Sequence, residues 1–374
     1  MNFELTDEQV ALRDLATQIL TERSTHERLN ALDASGTWFD GDTWRELVDA
    51  GLVGIALPES AGGGGLSFLD LHFVLEQVGA TAAHVPLWEA VVLGALPIAT
   101  FGSADQVQAY VAPVAAGDAL LTAALSEDGR DDVRAPATTA TAVDGGWRLE
   151  GTKTGVPIAA EALRILVPAR TDDGRVGIFL VAPDADGVTL TEQSTSSRKP
   201  HFLVELGGVV VSDDDVLGSL DSGREVLDHL ALHATAGICS MQSGTCQTAL
   251  RMSATYTSER EQFGVKIATF QAVGQRVADA YIDTEGVRLT ALQAAWRLAE
   301  GLPAEDAVSI AKFWSAEGGH RVAHAAQHVH VGVGIDHDYP LHRFFRVSTE
   351  HQFMLGAGTK HLLDLGRRLA AEPV

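Results

Sequence analysis

Four groups of residues have types and spacings that could do chemistry. His320, His324 and His328 recur every fourth residue, so on a helix they share one face, and that spacing can bind a transition metal. No cysteine or carboxylate cluster accompanies them, and hydrogen bonding along a helix face is the simpler expectation. The run Gly62–Gly65 could cradle phosphate through its backbone N–H groups, yet no Lys-Ser/Thr follows it, and it reads as a flexible connection. Cys239 and Cys246 lie about two helical turns apart, too distant to bridge, and read as buried free thiols of a reducing compartment. Arg260, placed just ahead of Gln262-Phe263-Gly264, offers a forked guanidinium cation.

The elements that would position these groups fall into three stretches. Up to about residue 118 the chain reads as helices. Leu5, Val10, Leu12, Leu15, Ile19 and Leu20 recur at roughly helical spacing, Thr6 before Asp7 and Glu8 suits an N-cap, a second helix fits Trp44–Ala50, and a third fits Phe68–Gly79. From 119 to 222 short apolar runs alternate with turn residues: Leu120–Leu125, Ala140–Val143, Trp147–Glu150, Ile165–Ala169, Gly177–Ala182, Val188–Leu190 and Phe202–Leu206. Asp144-Gly145-Gly146 marks a hairpin, and the stretch reads as a small antiparallel β domain. From 223 to 374 the helical period returns in two stripes. One runs from Val273 through Val277, Ala280, Val287, Leu292 and Ala295 to Trp296, and the other from Val308 through Ala311, Trp314, Val322 and Ala325 to Val329. The expected class is α+β, with domains at 1–118, 119–222 and 223–374.

A formal net charge of −23 argues against nucleic acid and anionic membrane as partners. No run of 18 apolar residues suggests a membrane span, and the N-terminus carries acids rather than a basic leader, so a cytoplasmic protein is expected.

Four segments carry a resemblance. Arg260-Glu261-Gln262-Phe263-Gly264-Val265-Lys266-Ile267 with Phe270-Gln271 resembles the R-x-Q-F-G-x-x-I-x-x-F-Q segment of acyl-CoA dehydrogenases. His328-Val329-His330-Val331-Gly332-Val333-Gly334, followed by Asp338-Tyr339-Pro340-Leu341 and Arg346, resembles that family's Q-x-H-G-G-x-G loop and its sequel. Pro58-Glu59 through Gly65-Leu66-Ser67 and Gly151-Thr152-Lys153-Thr154 agree in order. The resemblance implies the acyl-CoA dehydrogenase fold, FAD, and α,β-desaturation of an acyl-CoA: a carboxylate takes the α proton while the flavin accepts a hydride from the β carbon. It also implies an electron-transfer acceptor.

Carried over residue by residue, the resemblance divides. The two places where the family keeps its glutamate fall at Leu355 and Ala234, neither of which can take a proton. His233 and Glu350 lie nearby, but His233 points about 100° away from Ala234 round a helix. The residues the family donates across a dimer interface to its neighbour's flavin are kept as Arg260, Phe263, Gln271, His328 and Gly332, with His328 standing for Gln and Val331 for a Gly. The stretches that cradle a subunit's own flavin are altered to Leu125–Asp131 and Thr154-Gly155-Val156-Pro157-Ile158-Ala159, and Ala357 replaces a Thr. This pattern, and the stretches Phe270–Glu300 and Phe313–His342, are similar to the actinobacterial α2β2 steroid side-chain acyl-CoA dehydrogenases, in which one subunit supplies the base. The implied role is the partner subunit of such a heterotetramer in steroid degradation. A self-sufficient flavoenzyme with a relocated base and a flavin-free acyl-CoA-binding scaffold are the alternatives. Lys153, Arg164 and Arg170 stand equally as contacts for coenzyme A phosphates or as ordinary surface cations.

Overall fold

A computed structural model of the chain describes residues 4–371. Its internal contacts group into two compact units: Met1–Thr37, Phe68–His84 and Thr235–Val374 form one, Trp38–Ser67 and Val85–Ala234 the other.

The first helices are α1 (Asp7–Arg23), α2 (His26–Ser35), α3 (Gly41–Asp49) and α4 (Phe68–Thr81). Thr6 caps α1 in a reciprocal box: its hydroxyl accepts the Gln9 N–H, and the Gln9 side chain returns to the Thr6 N–H. Gly51, at φ 72°, follows α3. The glycine run is tight rather than flexible. Gly62, Gly63, Gly64 and Gly65 donate to Glu59, Pro58, Gly54 and Leu57 carbonyls at 2.8–3.0 Å, which leaves none of those N–H groups for a phosphate. A Cβ on Gly63 would lie 2.2 Å from Leu57 O, so close backbone packing explains the residue type. A π-helix, Trp88–Ala95, then leads into α5 (Leu96–Phe101), α6 (Ala104–Gln106) and α7 (Ala112–Ala115).

All seven expected strands form: β1 (Leu121–Ala123), β2 (Thr139–Val143), β3 (Gly146–Pro157), β4 (Arg164–Thr171), β5 (Val176–Val181), β6 (Val188–Gln193) and β7 (His201–Ser212). They make one sheet in the order β1-β4-β2-β3-β7-β6, with β5 on the free edge of β4. Pairing is antiparallel except that β1 and β2 both run parallel to β4, one along its start and the other along its end. Apolar alternation identifies a strand but carries no information on its partner's direction, so these two pairings were not legible. The sheet buries Leu149, Val167, Phe179, Val204 and Val209.

The remaining helices are α8 (Gly223–Glu259), α9 (Gln271–Ala299), α10 (Glu305–Phe313), α11 (Gly319–His330), α12 (Leu341–Phe353) and α13 (Gly358–Ala371). A short hairpin, β8 (Glu261–Gln262) and β9 (Val265–Lys266), interrupts them after α8. A π-turn at Trp314–Gly318 joins α10 to α11 without a break. The second stripe is buried at Val308, Ala311, Val322, Ala325 and Val329. In the first, Ala280, Val287, Leu292 and Ala295 are buried, whereas Val273 and Val277 at its start are only half-buried. Cys239 and Cys246 are buried free thiols in α8, and burial pushes Cys239 up to about 11. Among the described residues no helix is long and apolar enough to cross a membrane.

Candidate functional site

The residues with chemical potential lie in two regions, one in each unit. In the first unit, the C-terminal end of α8 presents Arg260, whose N–H donates to Tyr256 O at 2.9 Å. Among the described residues no side-chain hydrogen bond or ion pair engages the Arg260 guanidinium, and the residue is exposed. The β8–β9 hairpin follows. Its two turn residues, Phe263 and Gly264, have φ of 56° and 77°, the conformation that two-residue hairpins favour and that suits Asn-Gly far better than Phe-Gly. Phe263 is 92% exposed, its ring edge-on to that of Phe270 at 6.3 Å. Gln271, at the start of α9, is exposed too.

The second segment of this region follows α11. His328 and Gly332 are exposed, and a Cβ added to Gly332 would meet nothing within 4 Å. Between them, buried His330 ties this turn to the Arg260 segment. Its ring stacks on Tyr256 of α8 at 4.4 Å and 26°. His330 Nδ1 lies 2.8 Å from Ala326 O, and a carbonyl only accepts, so Nδ1 carries the proton. Nε2 is then the acceptor for the Tyr339 hydroxyl at 3.2 Å. Burial lowers the His330 pKa, which agrees with this neutral tautomer. A buried aromatic cluster therefore fixes the spacing of the Arg260 and Gly332 segments. Nothing in the sequence singled out Tyr256, because its partner rings lie far along the chain.

His320, His324 and His328 do not assemble a metal centre. The His320 and His324 rings sit 4.1 Å apart, with His320 Nδ1 3.3 Å from Gln352 Oε1. Among the described residues no group of three or more His, Cys, Asp or Glu is arranged to hold a metal ion.

Leu355 lies on the turn between α12 and α13, 8% exposed, at φ 56°. Two groups pin that turn. The fully buried Lys312 ammonium donates to the last carbonyls of α12, His351 O and, at 3.3 Å, Gln352 O. With no carboxylate beside it, burial brings its pKa down to about 8. His361 Nε2 donates to Leu355 O at 2.9 Å. Glu350 sits about one turn earlier, half-buried on α12. Glu317, on the π-turn, is a carboxylate that the sequence did not single out. A Cβ on Gly358 would meet its Cγ and Oε1 at 3.0 Å, which places the charge against the positive end of α13.

In the second unit, Lys153 is neither a phosphate contact nor a surface cation. Its fully buried ammonium donates to Glu127 Oε1 at 2.7 Å. Glu127 also accepts from Ala137 N at 2.6 Å, Thr138 N at 2.9 Å and the Thr138 hydroxyl at 2.7 Å. It thus clips the base of the excursion between β1 and β2. Burial opposes the charge, but Lys153 and these donors outweigh it and hold the Glu127 carboxyl down at about 2. Arg164 lies over the Tyr110 ring at 5.2 Å, and Arg170 is exposed.

Thr154 and Gly155 bulge out of the β3–β7 ladder. Their N–H groups are nonetheless committed, Thr154 to Ser126 O at 3.0 Å and Gly155 to Gln193 Oε1 at 2.8 Å. Pro157 has no N–H, and Ile158 donates to Pro200 O at 2.9 Å. Val156, Ile158 and Ala159 are buried, Ile158 at φ 47°. This stretch offers no aromatic face, and the N–H groups of Thr154, Gly155 and Ile158 are spent inside the unit.

Ala234 is fully buried in α8, where its carbonyl accepts the Trp88 indole N–H at 3.0 Å. His233 beside it donates Nδ1–H to His229 O at 2.8 Å, and burial drives its pKa to about 4.

Comparison with known proteins agrees with this architecture. Residues 6–118 match the acyl-CoA dehydrogenase N-terminal domain and residues 221–370 the C-terminal domain of the same family. The protein "Acyl-CoA dehydrogenase FadE27" of Mycobacterium tuberculosis is 41% identical over 382 residues, covering all of both chains. A chain of the ChsE4-ChsE5 complex from M. tuberculosis superposes with a TM-score of 0.94 at 41% identity, covering all of both chains. A chain of a variant of the Tcur3481-Tcur3483 steroid acyl-CoA dehydrogenase superposes at 0.91 with 40% identity, covering 97% of this chain and 98% of that one. The chain belongs to the acyl-CoA dehydrogenase family, a family of FAD-dependent oxidoreductases.

Proposed function

We propose that this chain is one subunit of a heteromeric acyl-CoA dehydrogenase, completing the flavin site of an unlike partner and supplying no catalytic base. The observation that carries this reading is the contrast between the two regions. Arg260, Phe263, Gln271, His328 and Gly332 are displayed on the surface of one unit, while the stretch that would receive the chain's own flavin has committed its donors internally. Arg260 would take the pyrophosphate, the Gly332 backbone would approach it closely, and Phe263 and Gln271 would cover the remainder of the dinucleotide. The cofactor, when bound, supplies hydride acceptance from the β carbon. The α proton passes to a carboxylate of the partner, because Leu355 and Ala234 are hydrocarbon at the two places where the family keeps its base. The ChsE4-ChsE5 and Tcur3481-Tcur3483 relatives, the second a steroid enzyme, support a bulky steroid side-chain acyl-CoA as substrate. A cytoplasmic electron-transfer protein would then reoxidise the flavin.

The experiment is to remove candidate bases one at a time in the assembled enzyme. Replacing the partner's active-site glutamate should abolish acyl-CoA-dependent flavin bleaching, while Glu317→Gln, Glu350→Gln and His233→Gln in this chain should leave it within about threefold. Loss of bleaching in any of the three, with folding and flavin content intact, assigns the base here and favours a self-sufficient enzyme.

A further inference from the structure

The turn that carries Gly332, Val331–Ile335, runs into a second turn at residues 336–339 before α12 begins. The first is held from within: the Gln327 amide donates to Gly334 O and accepts from Ile335 N–H, both at 3.1 Å. The second closes through Tyr339 N–H to Asp336 O at 3.1 Å, and two histidines hold it from outside. His26, the first residue of α2, has Nε2 3.0 Å from His337 O. His342, in the first turn of α12, has Nδ1 2.9 Å from Tyr339 O.

The three imidazoles lie together beside a cation. His337 stacks on His342 at 4.6 Å and 27°, and His26 meets His342 edge-on at 5.9 Å. Arg343, buried next to them, donates to Asn30 Oδ1 and pairs with Asp33 at 2.8 Å, both residues of α2. Asp33 thus answers Arg343, while Asp336 and Asp338 flank His337 on the exposed loop, Asp336 accepting the Asp338 N–H at 3.0 Å.

Neutral rings suit this setting and charged rings do not. His26 Nε2 faces His337 O, which only accepts, and Asn30 Nδ2 at 3.1 Å, which only donates. The neutral ring answers either one by its choice of tautomer. The charged ring is a donor at both nitrogens and turns a like donor towards Asn30. A charged His26 also carries N–H on Nδ1, and a charged His342 carries it on Nε2. Both nitrogens are buried without a hydrogen-bond partner among the described residues, so each charge leaves a donor unmet. Burial lowers the His342 pKa, and Arg343, His337 and His26 lower it further against the opposing Tyr339 carbonyl.

We propose that His26 is a positioning residue of the flavin half-site: its neutral ring holds the turn at 336–339, and through it Gly332, and protonation within this histidine cluster releases the turn. This rests on the proposed function, which assigns Gly332 to the partner's flavin.

Two measurements test it. In the full chain with its partner, flavin retention should fall about tenfold between pH 7.5 and 5.5. His26→Gln keeps an N–H donor for His337 O and cannot charge, so it should remove most of that fall. His26→Ala should show the loss already at pH 7.5. A merely structural role would shift retention equally at both pH values. In the isolated chain, hydrogen exchange at 331–340 should speed about tenfold over the same interval after correction for the intrinsic rate, while exchange in α9 does not. His26→Gln should suppress that as well. An undiminished acid fall in His26→Gln, or no acid loosening of 331–340, overturns the proposal. Loosening that His26 controls, with flavin retention unmoved, overturns the positioning role. If Arg260→Ala then leaves retention unmoved too, the proposed function falls with it.

Discussion

The Arg260–Gly332 region and the Lys153–Ala159 region differ in where their polar groups are directed. In the first, an aromatic cluster holds the backbone while the candidate side chains are exposed. In the second, nearly every donor is answered from inside the same unit: Lys153 by Glu127, Gly155 by Gln193, Ile158 by Pro200. Both regions are ordered, so order alone does not mark a binding site. The proposed half-site is distinguished by exposed groups on a held frame.

The largest effect should come from breaking the closed region. Lys153→Met leaves the Glu127 charge buried and should cost about 3–5 kcal/mol in denaturant unfolding, with the pair of apolar replacements recovering much of it. In the displayed region the same severity of change should spare stability and remove function. Arg260→Ala should leave the melting temperature of the isolated chain unchanged, yet lower flavin retention by the assembled enzyme about a hundredfold. Gly332→Ala meets open space and should likewise be silent in melting, but should weaken flavin retention about tenfold by keeping the backbone at a distance. A stability loss in either displayed variant would erase the contrast.

Acid should weaken both units. His72, His229, His233, His330, His342 and His361 all have pKa values lowered first by burial, to about 4 for His233 and His361. The unfolded chain therefore takes up protons first as pH falls. Their stability contribution is full above about 6.5 and is lost between there and about 3, the value at His229. Melting at pH 5 should lie at least about 5 °C below that at pH 7.5. Glu127 contributes in a lower window, present above about 4.5 and lost towards 2, so it does not account for a loss between 7.5 and 5. The smallest effect concerns Leu355→Glu. It restores a carboxylate but not a flavin cradle, and the isolated variant should show no acyl-CoA-dependent bleaching.

Much of the fold was legible in the sequence. The seven strands, the hairpin after Val143 and the Thr6 cap depend on local periodicity and turn chemistry, which a window of residues contains. Lys153 was misread because its partner, Glu127, lies in a different segment that only the sheet brings back. The glycine run was misread as flexible because a tight approach to Leu57 O and a loose loop call for the same residue. The candidate site residues stand in sequence motifs. The Tyr256–His330–Tyr339 cluster that spaces them depends on contacts that no single sequence displays.

The most direct measurement is the visible spectrum and mass of the chain purified alone and then with an unlike acyl-CoA dehydrogenase relative. A colourless chain alone, and about one FAD per pair of unlike chains in a tetramer, is the expected result. Stoichiometric FAD and acyl-CoA-dependent bleaching in the isolated chain would contradict it.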